Sequence, residues 1–180
     1  GEAVNDSDYT HGSAWGDVDN DGDLDLLVAN DGGAANGFKS RLYLNDGAGN
    51  LLRHDETVFA DSSTFSRSIA CADIDNDGDL DVMVGRDGKN RLFVNNGNEH
   101  NYILIALDGT GFMNSSAIGA VVRIKAGGVW QMRDVSSQTG RGSQNALTLH
   151  FGLGHQTTID SLEIHWTGSG ITNTYTGLTV

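Results

Sequence analysis

The sequence contains no proline and a single cysteine, Cys71, in 180 residues. One thiol excludes an intrachain disulfide framework. Basic residues are scarce: 11 Lys and Arg stand against 24 Asp and Glu, for a net charge of −13. That balance excludes a basic patch for nucleic acid or an anionic membrane. No apolar run approaches the roughly 20 residues of a membrane-spanning helix. No segment sustains a helical period, so amphipathic helices are not expected either. The chain starts at Gly1 rather than Met, as expected once a leader or flanking domains have been trimmed.

What is present is glycine, 25 residues, about twice ordinary usage. Short apolar runs alternate with Gly, Asn and Asp clusters, which is the texture of strands and turns. Residues 1–12 read as a loose polar entry. Leu24 to Ala29, Arg41 to Leu44 and an element starting at Leu51 read as strands, with a turn at Asn30 to Gly33. Ser68 to Ala72, Val82 to Val84 and Arg91 to Val94 repeat that order. Beyond His100 the texture changes. Tyr102 to Leu107, Ala120 to Ile124, Val129 to Val135, Leu147 to Phe151 and Leu162 to Trp166 read as strands of a different module. The expected fold class is all-β: two propeller-blade-like repeats followed by a small C-terminal β-module.

The repeat centres on two near-identical loops, DVDNDGDLD at Asp17–Asp25 and DIDNDGDLD at Asp73–Asp81, which start 56 residues apart. Ten of the 24 acids lie in these stretches. Five carboxylates in nine residues repel one another unless a cation sits among them. In a DxDxDG loop the acids at positions 1, 3 and 5 can converge, and Gly at position 6 allows the reversal that brings in the next carbonyl. Those positions are Asp17, Asp19, Asp21 and Gly22, then Asp73, Asp75, Asp77 and Gly78. Asp23 and Asp79 would offer backbone oxygens, and Asp25 and Asp81 would close the shell with carboxylates. All-oxygen ligation favours Ca²⁺ over Mg²⁺ and argues against Zn²⁺. Two ions would bring the net charge to about −9. An EF-hand needs Glu at position 12 and flanking helices, but position 12 is Val28 or Val84 and strands flank both loops. A dockerin-like helical loop fails for the same reason. The plain alternative is a solvated acidic hairpin with no ion; two copies of one calcium-loop grammar weigh against it.

These loops and their context, WGDVDNDGDLDLLVAN with RLYLNDGAGNL and CADIDNDGDLDVMVGRD with RLFVNNG, resemble the FG-GAP/VCBS calcium-binding repeat, a propeller blade of integrin α chains and many secreted bacterial proteins. The resemblance runs from Ser13 to about Gly97. NYILIALDGTGFMNSSAIGAVVRI, SQNALTLHFGLG and DSLEIHWTGSG resemble the ASPIC/UnbV domain, from Asn101 to Val180. The order of the two is that of the cartilage acidic protein-like family. The resemblance implies domains at 1–56, 57–100 and 101–180, structural calcium in each hairpin, and an extracellular, secreted or, in bacteria, periplasmic or cell-surface location. It implies a non-catalytic module for cell adhesion or matrix interaction, with an extracellular protein or glycan ligand. Relatives usually carry more repeats than two. A longer chain, self-association through exposed blade edges, or packing of the repeats on the C-terminal module would each satisfy the edges.

Other chemistry finds little support. His11, His54, His100, His150, His155 and His165 form no HxxxH or HExxH pair. Ser136, Ser137, Ser143 and Ser161 lack a GxSxG elbow, so an enzyme is not expected. Gly152–Leu153–Gly154 is no dinucleotide fingerprint. Cys71 aligns with Trp15 and reads as a buried thiol. A carbohydrate-binding module is the alternative function, with Tyr43, Phe93, Trp130 and Trp166 as candidate rings. Asn5 and Asn114 begin glycosylation sequons.

Overall fold

A computed structural model describes residues 9–31, 40–54, 65–97 and 99–180. Every regular element among them is a strand, and no helix is long and apolar enough to cross a membrane. The described chain forms two compact units.

The first unit comprises 1–18, 23–96 and 138–145. Strands β1 (Thr10–Gly16), β2 (Asp25–Asn30), β3 (Arg41–Asn45) and β4 (Leu51–His54) form an antiparallel meander in chain order. β5 (Ser66–Ala72), β6 (Asp81–Arg86) and β7 (Arg91–Phe93) form a second sheet in the same register. The cross-strand row Trp15–Leu26–Tyr43 corresponds to Cys71–Val82–Phe93. β1 begins at Thr10, inside the stretch expected as a loose entry. Its polar side chains still pair, because the Thr10 hydroxyl donates to Asn30 Oδ1 at 2.8 Å. Residues 1–8, with the Asn5 sequon, and most of the region 32–40 lie outside the described residues.

One face of the first sheet supplies Ala14, Leu27, Ala29 and Leu42 to a core completed by Ile69, Cys71, Leu80, Val82 and Val84 of the second repeat. Alternation makes this possible, since residues two apart share a face. At Gly16 the packing is close: a Cβ there would lie 3.0 Å from Leu80 Cδ1 and 3.4 Å from Cys71 Sγ. Segment 138–145 contributes Asn145, whose Oδ1 accepts the Cys71 amide (3.0 Å) and whose Nδ2 donates to the Trp15 carbonyl (3.1 Å). One side chain thus ties β1 to β5.

The second unit comprises 19–22, 97–137 and 146–180. β8 (Asn101–Ile105) pairs with β11 (Leu149–Gly154). β9 (Val121–Ala126), β10 (Val129–Asp134), β12 (Thr158–Trp166) and β13 (Ile171–Thr179) form a sheet in the order β10-β9-β12-β13. The β9–β10 hairpin turns at Gly127 and Gly128, both at positive φ (56° and 85°), as a tight two-residue turn requires. The core is built from Val122, Ile124, Phe151, Ile159, Ile164 and Trp166. β13 was not anticipated. Its Thr-rich sequence lies at a sheet edge with most side chains exposed, so it carries no apolar stripe to read.

Candidate metal centres

Each acidic loop joins the first two strands of its sheet, β1 to β2 and β5 to β6. The two loops share two left-handed positions. Position 4 is left-handed in both, Asn20 at φ 58° and Asn76 at φ 62°, and so is position 6, Gly22 at 105° and Gly78 at 92°. Glycine at position 6 was the expected device. The Asn at position 4 is a second one, and its signal was in the sequence, because Asn tolerates that conformation better than most residues.

In the first loop, carboxylate oxygens of Asp17, Asp19 and Asp21 lie within 4.8 Å of one another. In the second, those of Asp73, Asp75 and Asp81 do so. Asp23 and Asp25 stand outside the first cluster, and Asp77 and Asp79 outside the second. Among the described residues these two triads are the groups of His, Cys, Asp or Glu close enough to share an ion.

Position 9 has a role that ligand spacing did not reveal. Asp25 Oδ2 accepts the Val18 amide and Oδ1 the Asn45 amide, both at 2.9 Å. Asp81 repeats this with Ile74 (2.8 Å) and Asn95 (2.9 Å). Both carboxylates are almost wholly buried, at 0% and 1% exposure. Each therefore pins the start of its loop to the end of the third strand. An oxygen with two lone pairs can accept an amide and still face a cation, so Asp81 can do both. Asn45 and Asn95 were missed as site residues. Their side chains add bonds to Leu24 O (3.2 Å) and to Val18 O (2.8 Å), and their signal was the shared Asn ending RLYLN and RLFVN.

The electrostatics are those of crowded anions. Burial, and then the charge of Asp21, pushes Asp19 above the usual carboxylate range. Desolvation, and then Asp77 and Asp81, does the same to Asp75. Asp73 offers the sharpest test of fit. Its Oδ2 accepts the Gly78 amide at 3.1 Å, while its Oδ1 is buried with no hydrogen-bond partner. A buried carboxylate oxygen left bare is costly, and a hard cation within the triad would satisfy it. The donor sets are all oxygen, which fits Ca²⁺ chemistry.

In the second unit the tip of the first loop is held by hydrogen bonds. The Gly154 amide donates to Asn20 O, and His100 Nδ1–H donates to Asp19 O, both at 2.8 Å. Two other histidines make ring contacts. His155 packs edge-on to His100, and buried His150 stacks on Tyr102. Of the candidate sugar-binding rings, Tyr43 and Trp166 are buried and Phe93 is partly so. Trp130 is exposed, with the Arg123 guanidinium 4.5 Å above its ring. Cys71 is buried, and burial, then Asp25, pushes its thiol up to about 12.

Residues 17–84 match the family model for the FG-GAP-like repeat. Residues 111–180 match the model for ASPIC and UnbV. No curated protein matches the chain.

Proposed function

For a chain in which FG-GAP-like repeats are followed by an ASPIC and UnbV domain, we propose a calcium-stabilised, non-catalytic β-repeat module of the extracellular space that binds protein or matrix partners. The two domains make it a β-repeat module of a kind often extracellular. The observation that carries the calcium reading is the pair of acidic triads, each within 4.8 Å, on loops that are left-handed at the same two positions. Asp17, Asp19 and Asp21 would hold one ion, and Asp73, Asp75 and Asp81 the other. Bound calcium would neutralise the carboxylate crowding. The chain's own residues do the rest: Asp25 and Asp81 fasten each loop to the third strand, and Gly22 and Gly78 permit the reversal.

Nothing in this reading requires catalysis. Among the described residues the grouped carboxylates converge on one another, and no histidine joins either triad. The carbohydrate-binding alternative rests on Trp130 alone among its four rings.

Thermal melting in millimolar Ca²⁺ and in chelator tests the proposal. An ion at 100 times its Kd adds about 2.7 kcal/mol per site. For a chain of this size that is roughly 5–10 °C per site. Superimposable melting curves would refute it.

A further inference from the structure

Asn95 joins the two acidic loops. Its backbone amide donates to Asp81 Oδ1 at 2.9 Å. Asp81 belongs to the second triad, and its Oδ2 accepts the Ile74 amide, so both its oxygens are held. The Asn95 side chain reaches into the other loop. Its Nδ2 donates to the Val18 carbonyl at 2.8 Å. Val18 lies between Asp17 and Asp19 of the first triad, and its own amide donates to Asp25 Oδ2 at 2.9 Å. One residue therefore spans from a carboxylate of one candidate ion site to the backbone between two carboxylates of the other.

The first repeat shows what this asparagine does when it serves one loop. Asn45, at the matching position, donates its amide to Asp25 Oδ1 and its Nδ2 to Leu24 O at 3.2 Å, both in its own repeat. For Asn95 the equivalent side-chain bond, to Leu80 O, is stretched to 3.5 Å, and the short bond goes to Val18. That bond is not a by-product of closing the loop, which the backbone amide already does. Asn95 is half-buried, where a hydrogen bond is electrostatically stronger than in open water.

We propose that the two calcium sites are coupled through Asn95, so that filling one raises the affinity of the other. The proposal rests on both loops being calcium sites. Ligation through Asp81 would fix that carboxylate, and with it the Asn95 backbone. An Asn95 fixed in place restricts the Val18 carbonyl, and so the segment that carries Asp17 and Asp19. Part of the ordering that binding at the first loop demands is then already done, and the first site binds more tightly. Linkage makes the effect reciprocal, so filling the first site favours the second by the same factor. Coulomb repulsion between two dications opposes this. Salt screens that repulsion and acts less on a partly buried hydrogen-bonded link, so the coupling is read most clearly at high salt.

Calorimetric Ca²⁺ titrations of the full chain at high salt test this. Asp75→Ala keeps the first site and Asp19→Ala keeps the second. The overall two-ion constant of the wild type should exceed the product of these two single-site constants about 5-fold or more. With Asn95→Leu added to all three chains, the excess should vanish. A wild-type constant equal to the product, or an excess that survives Asn95→Leu, overturns the proposal. Two ions taken up independently overturn the coupling alone, whereas no uptake of calcium overturns the reading on which it rests. Hydrogen exchange gives a readout that a merely structural role would not move. In Asp19→Ala, calcium at the second site should slow exchange of the Val18 amide, and Asn95→Leu should abolish that slowing. Equal exchange of the Val18 amide with and without calcium overturns the proposal. A Cys71 that stays unreactive toward a thiol reagent certifies that each variant is folded. Where it reacts, Asn95→Ala replaces Asn95→Leu.

Discussion

Asp81 and Asp75 sit in one triad and answer to different physics. Asp81 accepts two backbone amides, so Asp81→Ala leaves both without their acceptor. The expected cost is roughly 2–5 kcal/mol, read by urea unfolding, and it should persist in chelator because it does not depend on an ion. Asp75 is held by no such bracket and feels Asp77 and Asp81 as repulsion. Asp75→Ala should therefore lower stability in calcium and raise it in chelator. A loss in both buffers would contradict the crowding account. The pH dependence has the same sign. A folded pKa above the unfolded one stabilises at low pH, and that contribution is lost as pH rises through the folded value. Metal-free protein should accordingly gain stability as pH falls from neutral toward the raised values of Asp19 and Asp75, before general acid unfolding sets in. Melting temperature against pH in chelator reads this, and a monotonic fall from pH 7 would oppose it. The Cys71 thiol, pushed up to about 12 by burial, should react with a thiol reagent only on unfolding of the first unit.

At the scale of the element, the recurring unit is a hairpin whose loop is closed by its third strand. The loops, the strands that flank them and the glycine at position 6 were legible in the sequence, because ligand spacing and turn chemistry are local. The amide bracket of Asp25 and Asp81 was not. It depends on where Asn45 and Asn95 arrive in space, and linear spacing does not encode that. The repeat also carries a polar side-chain contact at matched positions, His11 Nε2 to Asp31 (3.0 Å) and the ion pair of Arg67 with Asp87 (2.7 Å). Arg67 also reaches Asp31 at 3.3 Å, which links the two sheets. Its hydrogen bond holds Asp87 below the usual carboxylate range. That contribution is present above the unfolded carboxylate pKa and is lost as pH falls through the folded one. Arg67→Met should thus melt below wild type at neutral pH, and the gap should narrow once Asp87 protonates. A gap that is unchanged at acid pH would assign the effect to packing instead.

For the whole molecule, the all-β class followed from glycine content, alternation and the absence of a helical period. Two features did not. β8 holds the place in chain order that β4 holds in the first repeat, yet it pairs with β11. An apolar strand advertises that it will be buried and says nothing about its partner. The segment 138–145, polar and unpatterned, folds with the first unit through Asn145. Both outcomes are decided by long-range pairing, which local pattern cannot resolve. The account joins these levels through one claim, that the two loops are ion sites and that their ions stabilise the fold. Calorimetric titration of Ca²⁺ into chelator-treated protein tests it most directly. The account predicts two ions per chain for the wild type and one for Asp75→Ala. A wild type that takes up no calcium, or a stoichiometry that Asp75→Ala leaves unchanged, would contradict it.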